Sequence, residues 1–245
     1  SRVPGTNTDL PGVIFAPGLR SDKEGTKALY LEDLCRKQGQ DFIRFDYSGH
    51  GESGGRFEDG TITMWRDDML AIIDHVAPPG PIILVGSSLG GWISMLCALA
   101  RPKRVRGLVG LAAAPDCTRL IRDEQLNDAQ RRTLYEDGHV ALENPYSEDP
   151  YIITRALIED GERHCLLNTG TQINVAAAHF IQGEQDEDVP PEILAPIQAC
   201  FAPGTAEIEH IPDGDHRLSR PQDLQAIGAA VNAVTRLLNN GDAGQ

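Results

Sequence analysis

Ser88 lies inside Gly86-Ser87-Ser88-Leu89-Gly90, a Gly-x-Ser-x-Gly pattern. The apolar, β-branched run from Pro81 to Val85 leads into it and reads as a buried strand. Trp92 to Ala100 follows and reads as a helix, ended by Arg101-Pro102. A serine at so sharp a strand-to-helix turn projects its hydroxyl outward. The flanking glycines remove the Cβ atoms that would clash there. The helix beginning at the turn aims free N–H groups and its positive dipole end at the place where negative charge would develop. The same five-residue pattern also occurs by chance in loops, but the strand before and helix after favour Ser88 as a nucleophile.

A serine needs a base, and the base needs an orienting acid. His216 follows the strand-like run Ala206 to Ile211, in Asp213-Gly214-Asp215-His216-Arg217, and precedes a helix from about Gln222 to Asn239. That loop position makes it the candidate base among seven histidines. His179 to Gly183 reads as another strand, and Gly183-x-x-Asp186-x-x-Val189-Pro190 puts Asp186 in the loop beyond it. Asp186 is the favoured acid. Glu184, Glu187 and Asp188 beside it remain alternatives, as does Asp116 after the Val105 to Leu111 strand. The chain order serine, acid, histidine fits a sheet with its loops gathered at one end.

Attack on a carbonyl also calls for two N–H donors aimed at the oxyanion. Leu89, next after the serine, is one candidate. The other is Leu19, in the Pro17-Gly18-Leu19-Arg20 loop after the strand-like run Pro11 to Ala16. Pro17-Gly18 also reads as an ordinary turn, and both readings can hold together.

The elements that must position these groups alternate. Thr26 to Gln38 and Thr63 to Val76 read as helices, and Asp41 to Asp46 as a short strand between them. Alternating strands and helices predict an α/β fold, a mostly parallel sheet with helices on both faces. At 245 residues the chain suits one such domain. Ala112 to about Thr171 breaks the alternation, with helical patches at Asn127 to Tyr135 and Asp149 to Ile158 and a turn at Asn144-Pro145. It reads as a small helical cap, 112–171, inserted before the acid-bearing strand, with residues 1–111 and 172–245 forming the core. Such a cap would exclude water and shape the pocket.

Two other patterns do not carry function. Gly49-His50-Gly51-Glu52-Ser53-Gly54 matches a dinucleotide fingerprint, but no helix start of the required kind follows it. Gly80 to Ala100 holds no charged residue, but its glycine-serine centre suits strand-turn-helix rather than a membrane span. The net charge of −14, from 22 basic and 36 acidic residues, disfavours nucleic acid and anionic membrane surfaces. Five scattered cysteines without metal or redox spacing suggest reduced thiols and an intracellular setting. The chain starts at Ser1 without Met, which implies either a removed leader or a trimmed chain, and an amino-terminal strand or two could be missing with it.

With these motifs in hand, the chain resembles the α/β-hydrolase superfamily through Gly86 to Gly90, Gly183 to Pro190 and Asp215-His216. A closer resemblance runs through Pro17 to Asp22, Gly25 to Leu29, Phe42 to Gly51, Val85 to Trp92, His164 to Leu167 and Asp215 to Arg217. These stretches are similar to the small subfamily containing the tenth abhydrolase-domain protein, a mitochondrial enzyme, and its bacterial relatives. The similarity is weaker in the cap, Asp116 to Glu148. The resemblance implies a cofactor-free and metal-free acyl-protein (palmitoyl-protein) thioesterase that also hydrolyses acyl glucuronides. It implies Ser88 as nucleophile, Asp186 as acid and His216 as base. It also implies acyl thioesters, acyl esters or an S-acylated protein as substrates. The location would be the mitochondrial matrix in a eukaryote or the cytoplasm in a bacterium. A small-molecule carboxylesterase and a carbon–carbon bond hydrolase are alternatives on the same fold. A non-catalytic binding protein is a remote one, since no triad member is missing.

Overall fold

Strands buried on both faces read as near-continuous apolar runs, as Gly12–Ala16, Ile82–Ser87 and Val105–Leu111 at the centre of this sheet do. The computed structural model describes residues 1–143 and 150–242. In chain order its strands are β1 (Arg2–Val3), β2 (Gly12–Ala16), β3 (Phe42–Arg44), β4 (Ile82–Ser87), β5 (Val105–Leu111), β6 (His139–Leu142), β7 (Tyr151–Thr154), β8 (Ala177–Gly183) and β9 (Ala206–Ile211). Seven of them form one sheet in the order β1-β3-β2-β4-β5-β8-β9. It is parallel except for β1, which pairs antiparallel with β3. The helices are α1 (Thr26–Gln38), α2 (Ile62–His75), α3 (Leu89–Ala100), α4 (Cys117–Leu120), α5 (Asp128–Asp137), α6 (Arg155–Glu162), α7 (Leu194–Gln198) and α8 (Pro221–Asp242).

Alternation along each strand divides the core in two. Ile14, Ile82 and Leu84 face one way, onto Trp65, Met69, Trp92 and Ile93 of α2 and α3. Val13, Phe15, Ile83 and Val85 face the other, onto Ala28 and Leu31 of α1 and Ile227 and Val231 of α8. Local chemistry sets the helix ends. The Thr61 hydroxyl accepts from Met64 N–H at 3.1 Å to start α2, and Asn127 and Gln130 form a reciprocal capping box at α5. Gly39 closes α1 in the left-handed region at φ +70°.

The segment between β5 and β8 departs from the helical reading. The predicted patch from Asp149 to Ile158 is a strand followed by a helix: β7 and then α6. Tyr151-Ile152-Ile153-Thr154 is aromatic and β-branched and finds a partner, pairing antiparallel with β6 to form a separate two-stranded sheet. The Thr154 hydroxyl then caps α6, accepting from Leu157 N–H at 3.1 Å. Between α4 and α5 the chain makes a π-helical turn, Ile121–Gln125. The predicted turn at Asn144-Pro145, like the start of that patch at Asp149, lies outside the described residues. Strand β1 had no sequence signal, being only two residues long. Among the described residues no helix is long and apolar enough to cross a membrane.

Candidate active site

Strand β4 runs straight into Ser88, and α3 starts at the next residue. Ser88 adopts φ +52°, ψ −119°, a strained conformation for a residue with a Cβ. Its backbone is held on both sides. Ser88 N–H donates to Leu111 O at 2.9 Å, and Ser88 O accepts from Gly91 N–H at 2.9 Å and Ala114 N–H at 3.1 Å. The glycines on either side are required by close approach. A Cβ on Gly86 would strike the Gly90 carbonyl, and one on Gly90 would strike the main-chain oxygens of Ala16 and Pro17.

His216 Nε2 lies 3.1 Å from Ser88 Oγ, and its Nδ1 lies 2.9 Å from Asp186 Oδ2. The Nδ1–H donates to the carboxylate, which leaves Nε2 as the acceptor facing the serine. The Asp186 side chain is fully buried while His216 stays partly exposed. Two backbone donors, Asp188 N–H at 3.0 Å and Val189 N–H at 2.9 Å, hold Asp186 Oδ1. The acid and histidine loops are also tied to each other, with Glu184 N–H donating to Ile211 O at 3.0 Å and Gln185 N–H to Gly214 O at 2.9 Å. The sequence-predicted Ser88, His216 and Asp186 therefore meet, although 128 and 30 residues separate successive partners.

Asp116 is committed elsewhere. Both Asp116 oxygens accept backbone N–H groups, from Leu166 at 2.8 Å and Leu167 at 3.0 Å. Burial pushes the Asp116 carboxyl up from its ordinary value. Glu184 and Glu187 are exposed, and Asp188 gives its backbone N–H to Asp186 Oδ1. Asp186, Asp188 and His216 do bring ligand atoms within 4.8 Å of one another, near enough to share a cation. The donors to Asp186 and the serine at His216 already account for two of these three groups.

Leu19 and Leu89 both line the cleft in which Ser88 opens. Among the described residues neither amide N–H is used in a hydrogen bond. Gly18 packs so tightly on the serine that a Cβ there would lie 3.3 Å from Ser88 Cβ. Arg20, at φ +54°, anchors this loop. It donates to Pro150 O at 2.6 Å and lays its guanidinium over Phe57 at 5.2 Å and Tyr151 at 5.8 Å. The cleft measures about 610 Å³ and takes Leu120, Ile121, Leu142, Tyr151 and Ile153 from the segment after β5.

Sequence reasoning missed Gln182. Its side chain, completely buried, donates to Asp186 Oδ2 at 2.7 Å and to Val189 O at 3.0 Å. A polar side chain near the end of a buried strand, four residues before the acid, was the available signal.

The sheet order, the strained serine at the end of β4 and the two loops that bring Asp186 and His216 to it define an α/β-hydrolase. The chain belongs to the Hydrolase_4 family (serine aminopeptidase, S33), which matches residues 13–157. It is 37% identical, over 89% of its length and 70% of the relative's, to the human (Homo sapiens) mitochondrial palmitoyl-protein thioesterase ABHD10. The solved structure of the mouse α/β hydrolase domain-containing protein 10 superposes with a TM-score of 0.87 at 34% identity, covering 97% of this chain and 93% of that one. A protein from Agrobacterium vitis S4 superposes with a TM-score of 0.91 at 39% identity, covering 96% and 91%.

Proposed function

We propose that this protein hydrolyses acyl thioesters and acyl esters through an acyl-Ser88 intermediate. The observation that carries the reading is the hydrogen-bonded run from Ser88 Oγ to His216 to buried Asp186, 3.1 and 2.9 Å long, opening on a cleft with an apolar wall. His216 takes the Ser88 proton as Oγ attacks the acyl carbonyl. Asp186 holds the imidazole in the required tautomer and stabilises its positive charge. The N–H groups of Leu19 and Leu89 receive the tetrahedral oxyanion. His216 returns the proton to the departing sulfur or oxygen, then activates water to release the acid.

Residues 112–171 act as the cap, and the apolar side chains they place on the cleft take the acyl chain. The likeness to ABHD10 supports the finer reading, a palmitoyl-protein thioesterase acting on S-acylated protein and also on acyl glucuronides. The same likeness supports a mitochondrial location in a eukaryote, with the cytoplasm as its bacterial counterpart. The test is a matched series of acyl thioesters, esters and an acyl glucuronide, from short to long chains, with Ser88→Ala alongside. Turnover favouring long-chain thioesters, and falling by roughly 10⁴-fold or more in Ser88→Ala, is the expected result. Turnover of short esters alone would make the protein a small-molecule esterase. Undiminished turnover in Ser88→Ala would remove Ser88 from the mechanism.

A further inference from the structure

The cleft lining combines two chemistries. Leu120, Leu142, Tyr151 and Ile153 come from the segment after β5 and are apolar or aromatic, whereas Ser21, Thr26 and Lys27, at and before the start of α1, and Arg217 and Ser219, just after His216, are polar. The Lys27–Arg217 hydrogen bond joins these two polar stretches. With the acyl chain on the apolar side chains, the departing thiol or alcohol meets the polar ones, an assignment that rests on the acyl-hydrolase reading above.

Lys27 is the unusual group there. It sits in the first turn of α1, partly buried, and its ammonium donates to the main-chain oxygen of Arg217, one residue beyond His216. Among the described residues no carboxylate lies within ion-pair distance of it. Asp215 and Asp223 are near enough to favour its charge, but both are engaged elsewhere. Asp215 accepts from Leu218 N–H at 3.0 Å, and Asp223 pairs with Arg220 at 2.8 Å. Burial, and then repulsion by Arg217, outweigh them and lower the Lys27 ammonium to about 8. The group is still a cation at neutral pH, held where water compensates it poorly.

The surroundings favour an anion at this position. The first turn of α1 holds no acidic residue, and Gly25 offers no side-chain cap, so backbone N–H groups add to the positive potential. Elsewhere on the cleft Asp22 and Asp188 contribute negative charge, on a chain of net charge −14. Three cations line the cleft: Arg20, whose guanidinium is spent on Pro150 O and on the Phe57 and Tyr151 rings, and Lys27 with Arg217, which lie side by side next to His216, so an anion is best received beside Lys27.

We propose that the cleft lining at α1 is a leaving-group subsite that reads negative charge, with Lys27 as the residue that reads it. The preferred substrates are then acyl thioesters or esters whose departing group carries a carboxylate or a phosphate close to the broken bond. Lys27 donates a charge-assisted hydrogen bond to that anion, and the anion supplies the countercharge the fold withholds.

A purely structural role for Lys27 would be to pin the Arg217 carbonyl, and with it the His216 loop. Pinning would affect all substrates alike, so the readout is a ratio. Thioesters of one acyl chain are prepared with 3-mercaptopropionate, with its neutral amide, and with 2-mercaptoethyl phosphate. The wild type should favour at least one anionic thioester over the amide by about tenfold in kcat/KM. Lys27→Met should bring that ratio close to one, while Lys27→Arg should retain it. Comparing the carboxylate and phosphate arms identifies which anion the subsite takes. A wild-type ratio of one or less overturns the proposal without recourse to any variant. An unchanged ratio in a folded Lys27→Met protein overturns it too, leaving Lys27 only the pinning role. If the folded wild type turns over none of the three thioesters, including the neutral amide, it is the acyl-hydrolase reading that has failed.

Discussion

Gln182 donates its side-chain amide to Asp186 Oδ2 at 2.7 Å, the same oxygen that accepts from His216 Nδ1. Gln182 and Asp186 are four residues apart, at the end of β8 and in the loop beyond it. The amide also donates to Val189 O at 3.0 Å, so it ties the acid and its loop to the strand. A carboxylate oxygen fixed by two donors cannot swing away from the imidazole. Gln182→Leu removes the amide's two hydrogen bonds, to Asp186 Oδ2 and Val189 O, and keeps similar bulk. It should lower kcat about tenfold or more with KM little changed, because supporting hydrogen bonds of this kind typically carry such effects. Steady-state kinetics decides it. An unchanged kcat would mean that the two backbone N–H groups on Oδ1 suffice.

Asp116 and Asp186 are both buried carboxylates in loops after sheet strands, and only Asp186 reaches His216. Asp116 instead fixes the backbone of Leu166 and Leu167. Asp186→Asn should cost on the order of 10⁴-fold in kcat, by disturbing the imidazole tautomer. Asp116→Asn should leave turnover within about threefold of wild type, as expected away from the reacting groups. Burial raises the Asp116 carboxyl, so stability from this group falls as pH rises from its ordinary value through its folded one; Asn removes that charge but loses one of the two backbone hydrogen bonds. A large loss of turnover in a folded Asp116→Asn protein would reopen the choice of acid.

The sites legible in the sequence are those where strand endings and chemistry coincide. The Ser88 elbow, the Asp186 loop and the His216 loop each follow a strand of one parallel sheet, so all three lie at the carboxyl ends of its strands. Gln182 was hidden because burial and partners, rather than residue type, distinguish it from any other strand residue. Lys27 reads in the sequence as a solvated helix lysine. Its position beside Arg217, 190 residues away, is a product of tertiary packing. The β6–β7 pair was missed because no described turn residue separates Thr154 from α6, so strand and helix merge into one apolar-periodic run.

The tightness of the elbow gives a test independent of catalysis. A Cβ at Gly90 meets the backbone oxygens of Ala16 and Pro17, which cannot move without shifting β2 and the Leu19 loop. Gly90→Ala should therefore destabilise the protein by roughly 1–3 kcal/mol or more, as overpacking against rigid backbone does. Gly54→Ala is the control, since its Cβ would meet nothing within 4 Å. It should change stability by no more than about 0.5 kcal/mol. Urea unfolding of the two variants side by side makes the comparison. Equal stability of both would show that the chain at the elbow has room the geometry denies it.

Lys27 should leave a mark on stability as well as on substrate choice. Its ammonium titrates near 8 in the folded protein, against an ordinary value of 10.5. Below about pH 8 both folded and unfolded chains carry the proton, and the cost of burying the charge is felt in full. Between about 8 and 10.5 the unfolded chain holds more proton than the folded one, so stability contributed by this group rises with pH. The charges that face it are Arg217, which lowers it, and Asp215 and Asp223, which raise it. Relative to Lys27→Met, the wild type should therefore gain on the order of 1 kcal/mol in urea-unfolding free energy between pH 7.5 and pH 9.5. Saturating 3-mercaptopropionate should blunt that gain, because a bound carboxylate holds the ammonium charged to higher pH. A gap between the two proteins that stays constant across this range would mean that Lys27 is ordinarily hydrated. The cationic part of the cleft would then have no poorly compensated charge to offer a substrate.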